Sequence, residues 1–377
     1  MNSTTNAKAM RLKGLITKEF LQIWRDPSSL AIAFVLPVFL LLLFGYGVSL
    51  DAKHVPVGWV IDKSTPETTS FTAAFNRSEY FQSSYFVNMN AAKKAMQLRK
   101  INAIIRLRED FSRELFKQNS PAIQVIVNGV DANTARLISG YVQGAWNEWL
   151  THLAESRGIA LSKPVIAEQR IWYNSAILSK DFLVPGLIAV IMTLIGALLT
   201  AMVMAREWER GTLEAMIATP VTMGEVLLGK LIPYYLLGMG GLLLSIAMAV
   251  VLFDVPLLGS FWILLLAGTL FLLVALGMGL LISIVAKNQF VAGQIAIIVT
   301  FLPAFILSGF IFDIGSMPTA VQTFSYLIAA RYFVAILQTV FLAGNIWAVI
   351  LPNAAALLLM ALFFFRMALK KAPQRLE

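Results

Sequence analysis

Apolar residues in this chain gather into long uninterrupted stretches rather than short alternating runs. Leu30 to Val48, Phe182 to Ala205, Leu231 to Phe253, Phe261 to Ala286, Val291 to Phe312 and Trp347 to Phe365 each approach or exceed the ~20 residues that cross the hydrocarbon core of a bilayer. The pattern predicts six transmembrane helices. The first stretch is too long for a secretory core and no small-x-small cleavage site follows it, so it is expected to remain as an anchor. Ahead of it, Leu12, Leu15, Ile16, Phe20, Ile23 and Trp24 recur at helical spacing, with Lys13, Lys18 and Arg25 on other faces. This predicts an amphipathic helix in the headgroup plane, with Trp24 at the boundary, and Asp26-Pro27-Ser28-Ser29 turning the chain into the membrane.

Residues 51–181 form the long polar section. Strand-like runs at Val55 to Ile61, Ile101 to Leu107 and Ala122 to Val127 alternate with helical candidates at Ala91 to Arg99, Asp110 to Lys117 and Asn133 to Arg157, which predicts a compact α/β domain. About 130 residues suffice for a core of its own. Between the fifth and sixth spans, Tyr332 to Ala343 is apolar but too short to cross. A crossing there would also put the basic C-terminus outside, against the positive-inside rule. The segment instead predicts a re-entrant helical pair that starts near Met317-Pro318, turns around Ala329-Ala330-Arg331 and continues from Tyr332, bordering a transport path or a subunit interface.

The expected architecture is therefore an α-helical membrane protein with six spans, an N-terminal interfacial helix, that re-entrant pair and a large α/β extracytoplasmic domain between spans 1 and 2. Its parts are 1–28, tail and interfacial helix; 29–50, span 1; 51–181, the periplasmic α/β domain; and 182–377, spans 2–6. The last part contains a cytoplasmic coupling loop at 206–230 and the outer segment 313–346.

Composition agrees. The chain is 58% hydrophobic and only 14% charged, with mean hydropathy +0.74, where soluble chains carry about a quarter charged residues. Lys8, Arg11, Lys13, Lys18 and Arg25 precede the first span, Arg206, Arg210 and Lys230 follow the second, Lys287 follows the fourth, and Arg366, Lys370, Lys371 and Arg375 follow the sixth. Positive charge marks the cytoplasmic side, so both termini are expected there. The net charge of +9 is then topogenic and faces anionic lipid headgroups, with no nucleic acid needed to explain it. The absence of cysteine excludes disulfides and thiol chemistry.

Candidate chemistry is sparse. Gly224-Glu-Val-Leu-Leu-Gly229-Lys230 matches phosphate-loop spacing until Leu231, where a Ser or Thr would hold magnesium. Thr222 and Glu225 instead form a capping box, with Val221 and Val226 as its hydrophobic staple, so a helix starts here. His54 and His152 are the only histidines, and neither has a catalytic or metal-ligating partner at a recognisable spacing. The spans carry almost no charge, since Asp254, Asp313 and Arg331 lie at or beyond their outer ends, which disfavours proton coupling at membrane depth. Gly238, Gly240, Gly241, Gly277 and Gly279 read as packing positions.

The exception is Arg206 to Glu214, Arg-Glu-Trp-Glu-Arg-Gly-Thr-Leu-Glu, directly after an uncharged span. Topology alone would favour Lys and Arg. Alternating acids and bases beside Trp208, with Gly211-Thr212 as a break, suit a short element on a cytoplasmic loop that docks into a partner.

On these residues the chain resembles the type 2 permease subunits of bacterial ABC exporters, especially the YbhS-like members with a large domain after the first span. The resemblance runs the whole length, through Arg25-Asp26-Pro27-Ser28-Ser29, Phe44-Gly45-Tyr46-Gly47, Arg206 to Glu214, Lys230-Leu231-Ile232-Pro233-Tyr234-Tyr235, Leu307-Ser308-Gly309-Phe310 and Ala330-Arg331-Tyr332-Phe333. It implies a half-transporter of the inner membrane that pairs with itself or a second permease, binds two cytoplasmic ATPase subunits and binds no cofactor, ATP and magnesium belonging to the ATPase. By that likeness Glu207, Trp208, Glu209, Arg210, Gly211, Thr212 and Glu214 would couple to the ATPase, together with the interfacial helix at Glu19, Phe20 and Trp24. Pro318, Arg331 and Tyr332 would mark the outer re-entrant pair. Membrane lipid and a periplasmic partner complete the expected surroundings. The expected activity is ATP-driven export of a hydrophobic or amphiphilic substrate such as a drug or lipid. The alternatives are an antiporter driven by an ion gradient and a mechanotransmitting protein acting through its outer domain.

Overall fold

The computed structural model describes residues 2–47, 54–78, 80–98, 100–115, 123–128, 132–157, 178–212 and 221–372. It divides into two compact units, Met1–Ser49 with Ile171–Glu377, and Leu50–Arg170. The larger unit begins with α1 (Asn2–Trp24) and α2 (Pro27–Gly47). Asp26 separates them, with extended backbone, a side chain that accepts the Ser28 N–H, and Pro27 at the first helical position, where a missing N–H costs nothing. Within α2, Ala31–Val35 forms a π-helical turn just ahead of Leu36-Pro37. The wider turn accommodates a ring that has no N–H to donate.

The smaller unit is a four-stranded sheet with helices on both faces. Its strands are β1 (Val55–Ile61), β2 (Phe81–Phe86), β3 (Ala103–Leu107) and β4 (Ile123–Val127), in the order β2-β1-β3-β4. Both neighbours of β1 run parallel to it, and β4 is antiparallel to β3. The helices are α3 (Pro66–Asn76), α4 (Met89–Gln97), α5 (Phe111–Leu115) and α6 (Ala132–Ser156). A central parallel strand is buried on both faces, and β1 reads accordingly. Val55, Val57 and Trp59 join Phe71, Phe75 and Trp149 in one core, while Val60 joins Ala92, Ala95 and Ile104 in the other. The strand and helix assignments made from sequence lie within a few residues of these elements. The pattern missed α3 and β2. The first is announced by Thr65-Pro66, a capping box with Thr68; the second, Phe-Gln-Ser-Ser-Tyr-Phe, is too polar and exposed to stand out. His152, which had no partner in the sequence, lies 3.7 Å from Glu155 on the exposed side of α6.

The larger unit continues with α7 (Ser179–Glu209), α8 (Met223–Val251), α9 (Phe261–Ala286), α10 (Gln289–Leu307), α11 (Thr319–Ser325), α12 (Ala329–Leu342) and α13 (Trp347–Lys371). With α2, the helices α7, α8, α9, α10 and α13 are the six among the described residues long and apolar enough to cross a membrane. Helix α7 is the centre, since 89% of its apolar stretch is buried, against 22% for α2 and α10 and 17% for α13. It packs on α9 through small side chains. Gly196 faces Ala275, Gly279 faces Thr200, Thr200 Oγ1 donates to the Leu276 carbonyl at 2.9 Å, and Ser283 Oγ accepts the Ala205 N–H at 2.8 Å. Small residues let helix axes approach where lipid supplies no hydrophobic drive. Gly238, Gly240, Gly241 and Gly277 serve the same purpose against Leu272, Phe34, Ala33 and Phe364. Helix α10 repeats the device of α2, a π-helical turn at Ile297–Phe301 followed by Leu302-Pro303.

Helices α11 and α12 meet at 86°. The turn falls at Tyr326 to Ile328, slightly before the position read from the sequence. Pro318 caps α11. Arg331 stacks over the Tyr326 ring at 3.7 Å and donates to the Gln322 carbonyl and to Ser325, and Tyr332 Oη donates to the Tyr326 carbonyl at 2.7 Å. The fourteen residues of α12 rise about 21 Å, short of the ~30 Å apolar core of a bilayer, yet one face is deeply buried and Phe333 stacks on Phe271 at 4.3 Å. Its last carbonyls are satisfied by the N–H groups of Leu258 and Gly259.

The α7–α9 contact leaves no room for a methyl group at Gly279, whose Cβ would stand 2.5 Å from the Ala197 carbonyl. Gly279→Ala is expected to cost about 1–3 kcal/mol, read as a lower thermal unfolding midpoint of the purified protein. The control Gly14→Ala, which meets nothing within 4 Å, is expected to leave the midpoint unchanged or slightly raised.

Candidate functional site

The site grows out of the last turn of α7. Successive residues of a helix are rotated by about 100°, so four consecutive side chains leave the axis in four directions. Arg206, Glu207, Trp208 and Glu209 form that turn, and they reach five other helices. Arg206 Nη1 donates to Asp26 Oδ2 at 3.0 Å, gripping the cap of α2. Glu207 Oε1 accepts from Lys230 Nζ of α8 at 2.8 Å and from Lys18 Nζ of α1 at 3.2 Å. The Lys287 ammonium, at the end of α9, sits 4.2 Å from the centre of the Trp208 ring. Glu209 Oε1 accepts the Gln289 N–H at 3.0 Å, placing a carboxylate at the positive end of α10.

Past Glu209 the helix ends at Arg210, and Gly211 adopts φ +67°, the left-handed conformation that glycine takes without steric cost. That turn brings Thr212 back onto Glu207, whose Oε2 accepts its hydroxyl. The Gly-Thr pair thus has a local purpose: it folds the chain over the carboxylate.

Lys230 is the centre of the ion pairs. Its ammonium donates to Glu19 Oε1 of α1 at 2.6 Å as well as to Glu207, and all three side chains are only 3–5% exposed. With Lys18, two ammonium groups face two carboxylates, and the cluster is neutral. The capping box of Thr222 and Glu225 starts α8, as the sequence predicts, so the phosphate-loop lookalike is helix and carries Lys230 to α1. Leu15 packs on Gly229, where a Cβ would come within 2.8 Å of the leucine, and Arg11 Nη2 reaches Glu225 Oε1 at 3.0 Å. Burying charge is tolerated here because each charge meets its opposite at hydrogen-bonding distance.

Several expectations need correction. Arg206 to Glu214 reads as a loop, but α7 continues through Glu209, because its charged side chains find partners on the helices around it. Glu214 lies outside the described residues. Glu19 and Glu207, expected to meet another subunit, are 2% and 4% exposed and turn inward to Lys230. Trp208, Glu209, Arg210, Gly211 and Thr212 do face outward. Lys230, read as a topology signal, is buried, and the apolar helices are correspondingly less free of charge at their ends than their sequences imply. On α1, Phe20 and Trp24 are 41% and 80% exposed, although they were placed on one stripe with Leu15 and Ile23. The signal for the cluster was present: Glu19 falls in helical register with Leu12, Leu15, Ile16 and Ile23, and a carboxylate on an apolar stripe calls for a buried partner.

Asp26 is the second charged anchor. Burial alone would raise its pKa, but hydrogen bonds from Ser28, Ser29 and Arg206 outweigh that and hold it at about 2.

Residues 27–370 match the family model described as ABC-2 family transporter protein. The probable multidrug ABC transporter permease YbhS of Escherichia coli (strain K12) is 43% identical over 97% of this chain and 98% of its own length. The probable multidrug ABC transporter permease YbhR of the same strain is 27% identical over 88% and 90%. The inner membrane transport permease YhhJ, also of that strain, is 28% identical over 70% and 71%.

Lys230→Met leaves the buried Glu19 without its cation and Glu207 with Lys18 alone, and is expected to lower stability by about 3–5 kcal/mol, read as a fall in the thermal unfolding midpoint. Adding Glu19→Gln and Glu207→Gln to that variant is expected to recover most of the loss. Asp26 has a folded pKa below its ordinary one, so its contribution is complete at neutral pH and disappears as pH falls from about 4 through about 2. Thermal unfolding followed against pH is expected to show a flatter acid limb for Asp26→Asn than for the wild type.

Proposed function

Because the chain belongs to the ABC-2 family of transporter proteins, and so is a transport subunit rather than an enzyme, we propose that it is the permease of an ATP-driven exporter of the bacterial inner membrane. Family membership implies an ATPase partner and a permease partner in general. In this reading ATP and magnesium are held by a separate cytoplasmic ATPase, and a second copy or a paralogous permease completes the pathway. Both termini are cytoplasmic in this reading, which the Lys and Arg distribution supports. Helix α1 lies along the cytoplasmic face with Phe20 and Trp24 toward the headgroups, α11 and α12 form a re-entrant pair in the outer leaflet, and the α/β unit stands on the outer side, available to a periplasmic partner. The cargo is hydrophobic or amphiphilic and moves outward. The uncharged mid-sections of the spans favour an apolar cargo, and the names of YbhS and YbhR describe multidrug permeases.

The single observation that carries the reading is the last turn of α7. A transport subunit without an ATPase of its own must take up another subunit's movement at one place and pass it to its spans. Trp208, Arg210, Gly211 and Thr212 present an exposed tip, while Arg206, Glu207, Trp208 and Glu209 grip α1, α2, α8, α10 and the end of α9. Force applied at the tip therefore reaches several spans through charged contacts that are stiff and directional. Docking and transmission fall on different residues, Trp208 excepted, which is half exposed and also meets Lys287.

That division is testable by purifying the permease with its ATPase and reconstituting both in vesicles. Arg210→Glu is expected to cut ATPase copurification and ATP-driven transport by about tenfold or more with an unchanged unfolding midpoint. Glu207→Gln is expected to keep the ATPase bound while lowering the amount transported per ATP hydrolysed. Unchanged assembly and transport in Arg210→Glu would sink docking at this tip.

A further inference from the structure

Beside the last turn of α7 lies an open cleft of about 810 Å³, walled by the end of α1, the start of α2, the end of α7 and the start of α10. Its lining includes Lys18, Arg25, Arg206 and Arg210, with Asp26 as the only carboxylate among the lining residues. Asp26 is taken up by Arg206, Ser28 and Ser29, and Lys18 is paired with Glu207. Arg25 and Arg210 remain. Both are exposed, and neither has an acidic side chain within ion-pair distance among the described residues. Two guanidiniums without an acidic partner among the described residues, both lining one cleft, form a receptor for a group with several anionic oxygens, because each fork can donate to two oxygens at once.

We propose that this cleft holds the phosphate of an anionic phospholipid headgroup from the cytoplasmic leaflet. The proposal rests on the membrane placement given above. Two features favour a lipid over an acidic protein segment. The cleft opens where three apolar helices begin or end, at Pro27, Glu209 and Gln289, which is headgroup level. The helix that supplies Lys18 and leads into Arg25 also exposes Phe20, Leu21 and Trp24, at 41%, 56% and 80%. Basic and large apolar side chains together on one helix end are how a helix engages a lipid surface, and acyl chains attached to a bound headgroup would cover that apolar face. A headgroup here bridges α1 and α2 to α7, so the anionic content of the leaflet would set how firmly the α7 end is held.

The test uses the purified full-length permease in neutral detergent, with thermal unfolding followed against added phosphatidylglycerol, phosphatidylcholine or inorganic phosphate. Phosphatidylglycerol is expected to raise the midpoint and phosphatidylcholine not to. Arg25→Gln and Arg210→Gln are each expected to weaken the apparent lipid affinity roughly tenfold. An equal lipid response in wild type and both variants overturns the proposal. Equal protection by inorganic phosphate at the same concentration overturns the lipid as its source. Loss of ATPase copurification in Arg25→Gln with an intact lipid response overturns it in favour of an acidic ATPase segment. Since the chain has no cysteine, Gln22→Cys labelled in oriented vesicles checks the placement separately. Labelling from the opposite face alone would overturn the topology and this inference with it, whereas cytoplasmic labelling with an unaltered lipid response in both Arg variants overturns the inference alone.

Discussion

The Lys230 ammonium, enclosed between the carboxylates of Glu19 and Glu207, is the contact on which the larger unit depends. Lys, Glu and Asp are almost never fully buried unless paired, and removing one partner of such a set leaves an uncompensated charge in a poorly solvated place. The three residues come from three helices, α1, α7 and α8, and withdrawal of α8 takes away the cation that both carboxylates share. Apolar packing against lipid-like surroundings discriminates weakly between one helix arrangement and another. The ion cluster supplies that discrimination: it fixes where along α7 the helix α1 must sit, and it brings the end of α7 within reach of the Asp26 cap of α2. The remaining contacts of that turn, Trp208 with Lys287 and Glu209 with the start of α10, follow from this placement.

Much of this architecture was legible in the sequence, for a physical reason. A helix in an apolar medium satisfies all its backbone groups internally, so its existence is decided by length and composition, both read directly. Phe261–Ala286 matches to the residue, and the ends of the other apolar helices differ by up to eight residues, the largest difference falling at Met223. The cap of α8 was equally plain, since Thr222 and Glu225 act within four residues of sequence. What was hidden depends on distant pairs. Glu19 and Lys230 are 211 residues apart, and nothing local to either one says that it is buried. The charged end of α7 read as a loop because charge after an apolar stretch ordinarily marks the water boundary, whereas here neighbouring helices absorb it. The helix Pro66–Asn76 lacked the apolar periodicity of its neighbours and declared itself only through its cap.

The same distinction divides the candidate site. The exposed members, Trp208 to Thr212, could be found as an anomaly of composition. The buried members, Glu19, Glu207 and Lys230, look like surface charges in the sequence, because a sequence records charge but not the side of a helix on which it lies. The glycine at 211 was recognised as a break; that its left-handed turn returns Thr212 to Glu207 required coordinates.

Helix α7 runs for 31 residues, about 46 Å at 1.5 Å per residue, with its one proline, Pro185, near the end opposite the charged turn. For most of that length it is an unbroken rod, gripped at Arg206 to Glu209 and packed along its sides. A rod so held does not bend to absorb a push; it tilts. A rotation of about 5° about one end carries the other about 4 Å by simple geometry over that length, enough to part or close side chains at van der Waals contact. The length of this one helix thus makes it a lever, in which any small rotation at the charged end would become an ångström-scale displacement at the other end.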